Sequence, residues 1–384
     1  MAKVRSAENA LTYTWHYTAN QEICQHGCRR IAVIGVGGAG SNTVTRLVES
    51  GMTSAKCIAL DTDAAHLNAS KANQKILIGE KFTKGLGAGG NPKLGRAAIE
   101  ESRKRIQDLL SDIDVAFITA GLGGGTGTGA APVVAEIARR NGAITVGVIA
   151  MPFHVEKGRE KHAATALTEI QRQCDTVVVI DNNKLKQLAP QLPSNGVFTV
   201  TDQVLANMMK GIVETVSTPS LINLDFTDFR TIVGQGGIAV VGVGESDAPN
   251  RAEEAVRNAL RTPLLDVDYT GATGALVHVT GDNHMTIEEA NHVGEIVTEI
   301  MDKNAHVIWG ARVNPQQEGK LKVTLVMTGV KSHPILGGLG TVAPQLFNME
   351  PYAEPERPLG IKLNLYQMES NSHRSKGHRP ASFS

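Results

Sequence analysis

From Arg30 onward, short apolar runs alternate with stretches whose apolar residues recur at helical spacing. IAVI (31–34), CIAL (57–60), KILI (75–78), VAFITA (115–120), ITVGVIAM (144–151) and TVVVI (176–180) are almost continuously apolar and rich in β-branched residues. Runs of this kind predict strands buried on both faces of a parallel sheet. Amphipathic segments, among them 96–110 and 131–140, lie between them. The alternation predicts an α/β fold with a doubly wound, mostly parallel sheet and right-handed crossovers, occupying residues 30–200.

A helical stripe follows, made by Val204, Leu205, Met208, Met209, Ile212, Val213 and Val216. It predicts a central helix over 201–219, with Thr201 or Asp202 as N-cap and Pro219 at its end. Strands near 237–243, 273–279, 306–312 and 321–328, with helices at 251–261 and 286–302, predict a separate α+β domain with its own core over 220–335. Residues 336–384 lose the periodicity and end in the polar SNSHRSKGHRPASFS, which reads as a disordered, mildly basic tail. Within it LGIKLNLY (359–366) has the look of a short docking peptide. Residues 1–29 form an N-terminal extension.

Composition narrows the picture. At 384 residues there is room for two full-sized domains. A formal net charge of zero leaves no global positive field, so nucleic acid is not an expected partner of the folded body. No apolar run approaches the ~18–20 residues that span a bilayer, and the first residues lack the apolar core of a signal peptide. A cytoplasmic protein is expected. Cys24 and Cys28 flank His26 in CQHGC, but no second Cys/His pair sits at matching spacing, so no metal site is assigned. The 40 glycines show no collagen-like period and instead gather in loops.

Three of those loops carry chemistry. GVGGAGSN, Gly35–Asn42, follows a strand and opens a helix, where backbone N–H groups and the helix dipole can hold a phosphate. Alone this is ambiguous, because dinucleotide-binding dehydrogenases present nearly the same string and Asp61 lies at a suitable distance to hold a ribose. GLGGGTGTGAAP begins at Gly121, directly after VAFITA, and leads into a helix expected near Thr128 with Pro132 in its first turns. Its bare backbone can form an anion-binding nest, and Thr126 and Thr128 can donate to phosphate oxygens. GLGAGGNP (85–92) is glycine-rich enough to close over a terminal phosphate. Two phosphate loops on strand ends of one domain imply a ligand with several phosphates, for which a dehydrogenase has no need. No G-x-x-x-x-G-K-[ST] occurs, which argues against an ordinary P-loop hydrolase.

GGGTGTG is the signature of the tubulin/FtsZ family, and the fuller GLGGGTGTGAAP, with GLGAGGNP and RAEEAVRNALRTPLL, resembles its FtsZ branch. The resemblance runs from about Arg30 to Val330. It implies a self-assembling GTPase that binds GTP and GDP with Mg²⁺. The phosphates would be held by Gly37, Gly38, Ala39, Gly40, Ser41 and Asn42, by Gly89 and Gly90, and by Gly124, Gly125, Thr126 and Gly127. This chain has Ala39 and Ser41 where the family loop has glycine. IDNNKL resembles I-P-N-D-K-L and places Asn182 near guanine. VTDQVL resembles A-D-N-V-L and places Asp202 at the base edge, where a carboxylate accepts from guanine's ring N–H and exocyclic amine. PFHVEKGRE resembles P-F-x-F-E-G-x-x-R. Glu156 matches directly, whereas the arginine position is taken by Glu160 and Arg159 sits one residue early.

SLINLDFTDF resembles the family's N-x-D-x-x-D loop, with Asn223, Asp225 and Asp228 as catalytic residues. The helix before it, roughly 24 Å long if it has 16 residues, holds this loop away from the base site of its own chain. In the family the loop meets the nucleotide of the next subunit, which implies a head-to-tail homopolymer at a mid-cell division ring. The tail lacks the bacterial L-D-I-P-x-F-L type peptide, so division or membrane-anchor partners would be reached through a different string. A non-division filament protein of the same family shares all these motifs and stands as the alternative.

Overall fold

The computed structural model describes residues 30–183, 194–217, 226–234, 237–261, 267–268, 272–301, 303–315 and 317–332. Cys24, His26, Cys28, Asn223, Asp225 and LGIKLNLY lie outside the described residues.

The apolar runs form strands as expected. They are β1 (Ile31–Val36), β2 (Lys56–Asp61), β3 (Gln74–Leu77), β4 (Val115–Gly121), β5 (Ile144–Met151) and β6 (Thr176–Asp181). The helices among them are α1 (Gly37–Glu49), α2 (Ala64–Ala69), α3 (Glu80–Thr83), α4 (Pro92–Glu101), α5 (Arg103–Leu109), α6 (Thr126–Arg140) and α7 (Arg159–Gln173). Then follow α8 (Ser194–Ser217), α9 (Phe226–Gly234), β7 (Ile238–Ser246), α10 (Arg251–Arg261), β8 (Val267–Asp268), β9 (Gly274–Gly281), α11 (Ile287–Ile300), β10 (His306–Val313), β11 (Leu321–Thr328) and β12 (Lys331–Ser332).

Ten strands make one sheet, in the order β10-β9-β11-β7-β6-β5-β4-β1-β2-β3. All neighbours from β3 to β7 run parallel, and β11 inserts antiparallel between β7 and β9. The sheet runs unbroken from β6 into β7 through the pairs Val177↔Ile238 and Val178↔Ala239. Strand side chains alternate between faces, so Ile34, Ile118 and Val179 enter one apolar core while Val33, Phe117 and Val178 enter the other. Both cores draw residues from the early and the late strands.

Two boundaries differ from the sequence reading. The segment 96–110 breaks at Ser102, whose ψ of 3° closes α4 and opens α5. The long helix α8 begins at Ser194, ahead of the apolar stripe, so Asp202 stands in its third turn and neither Thr201 nor Asp202 caps it.

α10 lies unusually close on β7 because the strand has glycine where the helix crosses. A Cβ at Gly244 would run into the Ala255 carbonyl and lie 3.0 Å from the Asn258 carbonyl carbon, both of them backbone that no rotamer change can move. Replacing Gly244 with Ala therefore overpacks this contact, which costs about 1–3 kcal/mol. Urea unfolding should show a lower midpoint for Gly244→Ala, with nucleotide affinity of the folded fraction unchanged; an unchanged midpoint would refute the close packing.

Candidate active site

In an open parallel sheet the carboxyl ends of the strands face a crevice where ligands collect. Here β2 delivers Asp61, β4 delivers Thr119, Ala120 and Gly121, and β5 delivers Ala150 and Met151 to one cleft of about 440 Å³, to which Gly38 just after β1 and Asn182 just after β6 also belong. Its wall takes Gly38 and Ala39 from the first loop, Gly89 and Gly90 from the third, and Gly124, Gly125, Thr126 and Gly127 from the second. Glu156, Arg159, Asn182 and Asp202 also line it. Segments separated by more than 160 residues in sequence, from Gly38 to Asp202, thus converge on one space.

The other residues of the first loop support the cleft without lining it. Gly37 adopts a φ of 72°, and a Cβ there would lie 2.8 Å from the Gly127 nitrogen, so the first two loops touch backbone to backbone. Gly40 sits against the Thr119 carbonyl. Ser41 is buried, and its hydroxyl finds no hydrogen-bond partner among the described residues. α1 and α6 both point their N-termini at the cleft's glycine loops, which concentrates unsatisfied N–H groups and partial positive charge there. Thr128 does not reach the cleft. Its Oγ1 accepts a bond from the Gly123 N–H at 2.9 Å, bracing the loop, because α6 already starts at Thr126 and turns Thr128 inward. The Thr126 hydroxyl lies 2.6 Å from that of Thr62.

Another group of polar side chains lies along this wall. Asn182 is buried, and its Oδ1 has no hydrogen-bond partner among the described residues. A buried acceptor of this kind costs free energy unless something supplies a donor. Asp202 is half-buried in α8, and burial pushes its carboxyl up to about 6, against the opposing pull of Arg46, Asn42 and His66. Asn42 connects two groups: it hydrogen-bonds Asp202, and its Oδ1 lies 3.1 Å from His66 Nε2. His66 Nδ1 in turn lies 3.0 Å from Asp61 Oδ2. Glu156 accepts from the Phe153 N–H at 3.1 Å and pairs with Arg159. Arg159 follows Gly158, whose left-handed φ of 89° turns the chain into α7.

Asp61 and His66 line the cleft but were not assigned to it by the sequence reading, which considered Asp61 only as a dehydrogenase's ribose ligand. Asp63, Thr43, Ala88 and Leu205 were missed in the same way. An isolated histidine on a short helix carries no motif, and only the fold brings it beside Asn42. Asp228 sits in the first turn of α9, exposed and outside the cleft. From Asp202 to Ser217, the end of α8, the helix spans roughly 22 Å. The thiols of Cys57 and Cys174 are buried and both pushed up to about 12 by that burial, so neither is a ready nucleophile. Among the described residues no group of three or more His, Cys, Asp or Glu is arranged to hold a metal ion, and no helix is long and apolar enough to cross a membrane.

The profile of the Tubulin/FtsZ family, GTPase domain, matches residues 30–190, and that of the FtsZ family, C-terminal domain, matches residues 237–331. Cell division protein FtsZ 2 of Methanocaldococcus jannaschii is 50% identical over 316 residues, covering 82% of this chain and 83% of the relative. A solved FtsZ dimer of M. jannaschii superposes with a TM-score of 0.77 at 47% identity, covering 84% of this chain and 97% of that one. CetZ1 of Haloferax volcanii, solved as a GDP-bound monomer, gives a TM-score of 0.69 at 24% identity, with 79% and 94% covered, which is a likeness of fold.

Asp202 generates a prediction for the ligand-free protein. Its folded-state value lies above the ordinary 3.8, so the folded chain holds the proton more tightly than the unfolded chain. The resulting penalty is absent below about 4, grows between about 4 and 6, and is complete above about 6. Asp202→Asn should therefore raise the unfolding temperature of nucleotide-free protein at about pH 8 and leave it nearly unchanged at about pH 4. A variant that melts lower than the parent at the higher pH would contradict the burial argument.

Proposed function

Because the chain belongs to the FtsZ branch of the tubulin/FtsZ GTPase family, we propose that it assembles head to tail into filaments of a cell-division ring and hydrolyses GTP where one subunit meets the next. Its GTPase activity and its kinship with cell-division proteins follow from the family; the assignment of residues to roles is our reading of the site. The observation that carries it is the buried, unpartnered Asn182 Oδ1, which shares with the half-buried Asp202 carboxyl a cleft whose wall also takes in three glycine loops. A base with adjacent donors satisfies both groups. Guanine offers its ring N–H and exocyclic amine to Asp202, where adenine would present an acceptor.

The triphosphate then extends over Gly124–Gly127, Gly37–Asn42 and Gly89–Gly90. Backbone N–H groups and the two helix dipoles stabilise charge on the transferring phosphoryl group. Glu156 and Arg159 hold the sugar and base. Mg²⁺, when bound, would supply charge neutralisation at the phosphates; Asp63, whose Oδ2 lies 3.8 Å from where a Cβ on Gly87 would sit, is the cleft carboxylate beside the third loop.

The water-activating groups come from a neighbour. Asp228, in the first turn of α9, follows α8 in sequence and lines no part of its own chain's cleft; with Asn223 and Asp225 it reaches the γ-phosphate of the next subunit, polarising and orienting the attacking water. A heterologous contact of this type does not close on itself, so it propagates as a filament. Residues from Arg30 to the start of α8 form the nucleotide-binding part, α8 (Ser194–Ser217) leads towards the catalytic loop, and 220–335 is the part that presents it. The tail, 336–384, carries the docking string for division or membrane-anchor proteins. A filament role outside division is the second reading. It is disfavoured because the division proteins are about twice as identical to this chain as CetZ1 is.

Two variants test the roles. Asp228→Ala should bind GTP and form filaments normally while losing about 10²–10⁴-fold in turnover, the usual cost of a positioned acid–base group; normal hydrolysis would remove Asp228 from the mechanism. Asp202→Asn should weaken GTP about 10–100-fold, the worth of charge-assisted bonds to the base. The same variant should gain affinity for xanthosine triphosphate, whose extra carbonyl suits an amide donor. Unchanged base preference would disprove guanine reading by Asp202.

A further inference from the structure

A second cavity, of about 650 Å³, lies between α8 and the strands β9, β10 and β11, and it shares no lining residue with the nucleotide cleft. Its strand wall is built from alternate positions in register: Thr324 opposite His278, Lys322 opposite Thr280, and Thr280 opposite Arg312. The helix wall is one face of α8, with Asn207, Lys210, Gly211 and Glu214 at helical spacing. Gly211 allows the helix close to Thr324, whose hydroxyl would be 3.0 Å from a Cβ there. On the opposite face of the same strands, Val277, Val279, Val323 and Leu325 are fully buried in an apolar core. A helix-to-sheet contact is ordinarily sealed by such residues, yet this one is lined by charge.

The charges do not balance. Glu214 is shared between Lys210 at 3.9 Å and Arg312 at 3.8 Å. Lys210 also donates to the Ser50 carbonyl at 2.6 Å. Lys322 makes no ion pair within 4.0 Å among the described residues, and its register neighbour Glu245 is engaged by Lys320 at 2.8 Å. Burial pulls the Lys322 ammonium below its usual range. His278 is only 4% exposed; its Nδ1 lies 3.4 Å from the Thr280 hydroxyl and its Nε2 has no partner among the described residues. Burial together with Arg312 and Lys322 keeps this imidazole neutral, its value lowered to about 4. In the tautomer whose Nδ1 accepts from Thr280, Nε2–H is a free donor. Three cations against one carboxylate, plus an unused buried donor, are costly without a counter-ion.

We propose that this cavity binds a small dianion whose paired oxygens are held by Lys322 and Arg312 and receive hydrogen bonds from His278 Nε2 and the Thr324 hydroxyl. A phosphate monoester and a dicarboxylate share that chemistry, and the experiment separates them. Occupancy ties α8 to the late strands, so it stabilises the folded protein by mass action.

The test uses full-length protein saturated with GDP, so that the nucleotide cleft is already filled. Glycerol 2-phosphate and succinate are titrated separately by calorimetry. Saturable binding of at least one anion at millimolar concentration or below is expected, weakening as salt rises, and the anion that binds names the class. Lys322→Gln should lose about tenfold or more in that affinity, the loss of one charge-assisted contact, with GDP affinity unchanged. If Lys322→Gln fails to fold, Arg312→Gln carries the same expectation. No saturable binding of either anion, or equal affinity in parent and variant, would overturn the proposal.

Discussion

Bare backbone packed against bare backbone at the ends of β1 and β4 is the constraint on which the nucleotide cleft depends. The first loop rests on the second at Gly37 and Gly127, and the second rests on the third, where a Cβ at Gly125 would lie 2.9 Å from the Asn91 nitrogen. A Cβ at Gly127 would also lie 2.7 Å from the Gly121 carbonyl and 3.2 Å from that of Val36. Side chains of any size would hold these loops apart. Their absence lets three sets of N–H groups converge, and that convergence makes the cleft an anion site before any charged side chain is considered. The sheet supplies the other half of the constraint, since parallel pairing of β1, β2, β4, β5 and β6 puts all their carboxyl ends on one edge.

This is why so much of the site could be read from the chain. Glycines forced by close approach leave a spaced pattern, and strands buried on both faces leave apolar runs; both survive in one dimension. Asn182 and Asp202 were reachable only through resemblance, because a lone Asn after a strand and a lone Asp on a helix have ordinary structural uses. The apolar stripe by itself suggests Asp202 as a helix cap, yet α8 begins eight residues earlier. The connection from Asp61 through His66 and Asn42 to Asp202 could not be read at all, since it joins β2, α2, α1 and α8 through side chains with no common motif. Thr128 shows the reverse error. A hydroxyl in a phosphate loop suggests a ligand contact, but in the folded loop it braces Gly123.

The long helix joins the two halves of the account. It carries Asp202 in the wall of the nucleotide cleft, presents a polar face to the second cavity along its middle, and ends roughly 22 Å beyond Asp202. Under the proposed roles, an element of that length lies between Asp202 and the segment that leads to Asp228. In the proposed filament the same separation becomes the spacing that brings one subunit's carboxylates to its neighbour's γ-phosphate.

The central claim, a hydrolytic site completed by a second copy, is tested most directly by measuring GTP turnover per molecule across a dilution series of the unmodified protein. A shared site predicts negligible specific activity below a threshold concentration and a steep rise above it, coincident with the appearance of filaments by light scattering. A specific activity that stays constant on dilution through that range would mean that each chain hydrolyses GTP alone, and would contradict the account.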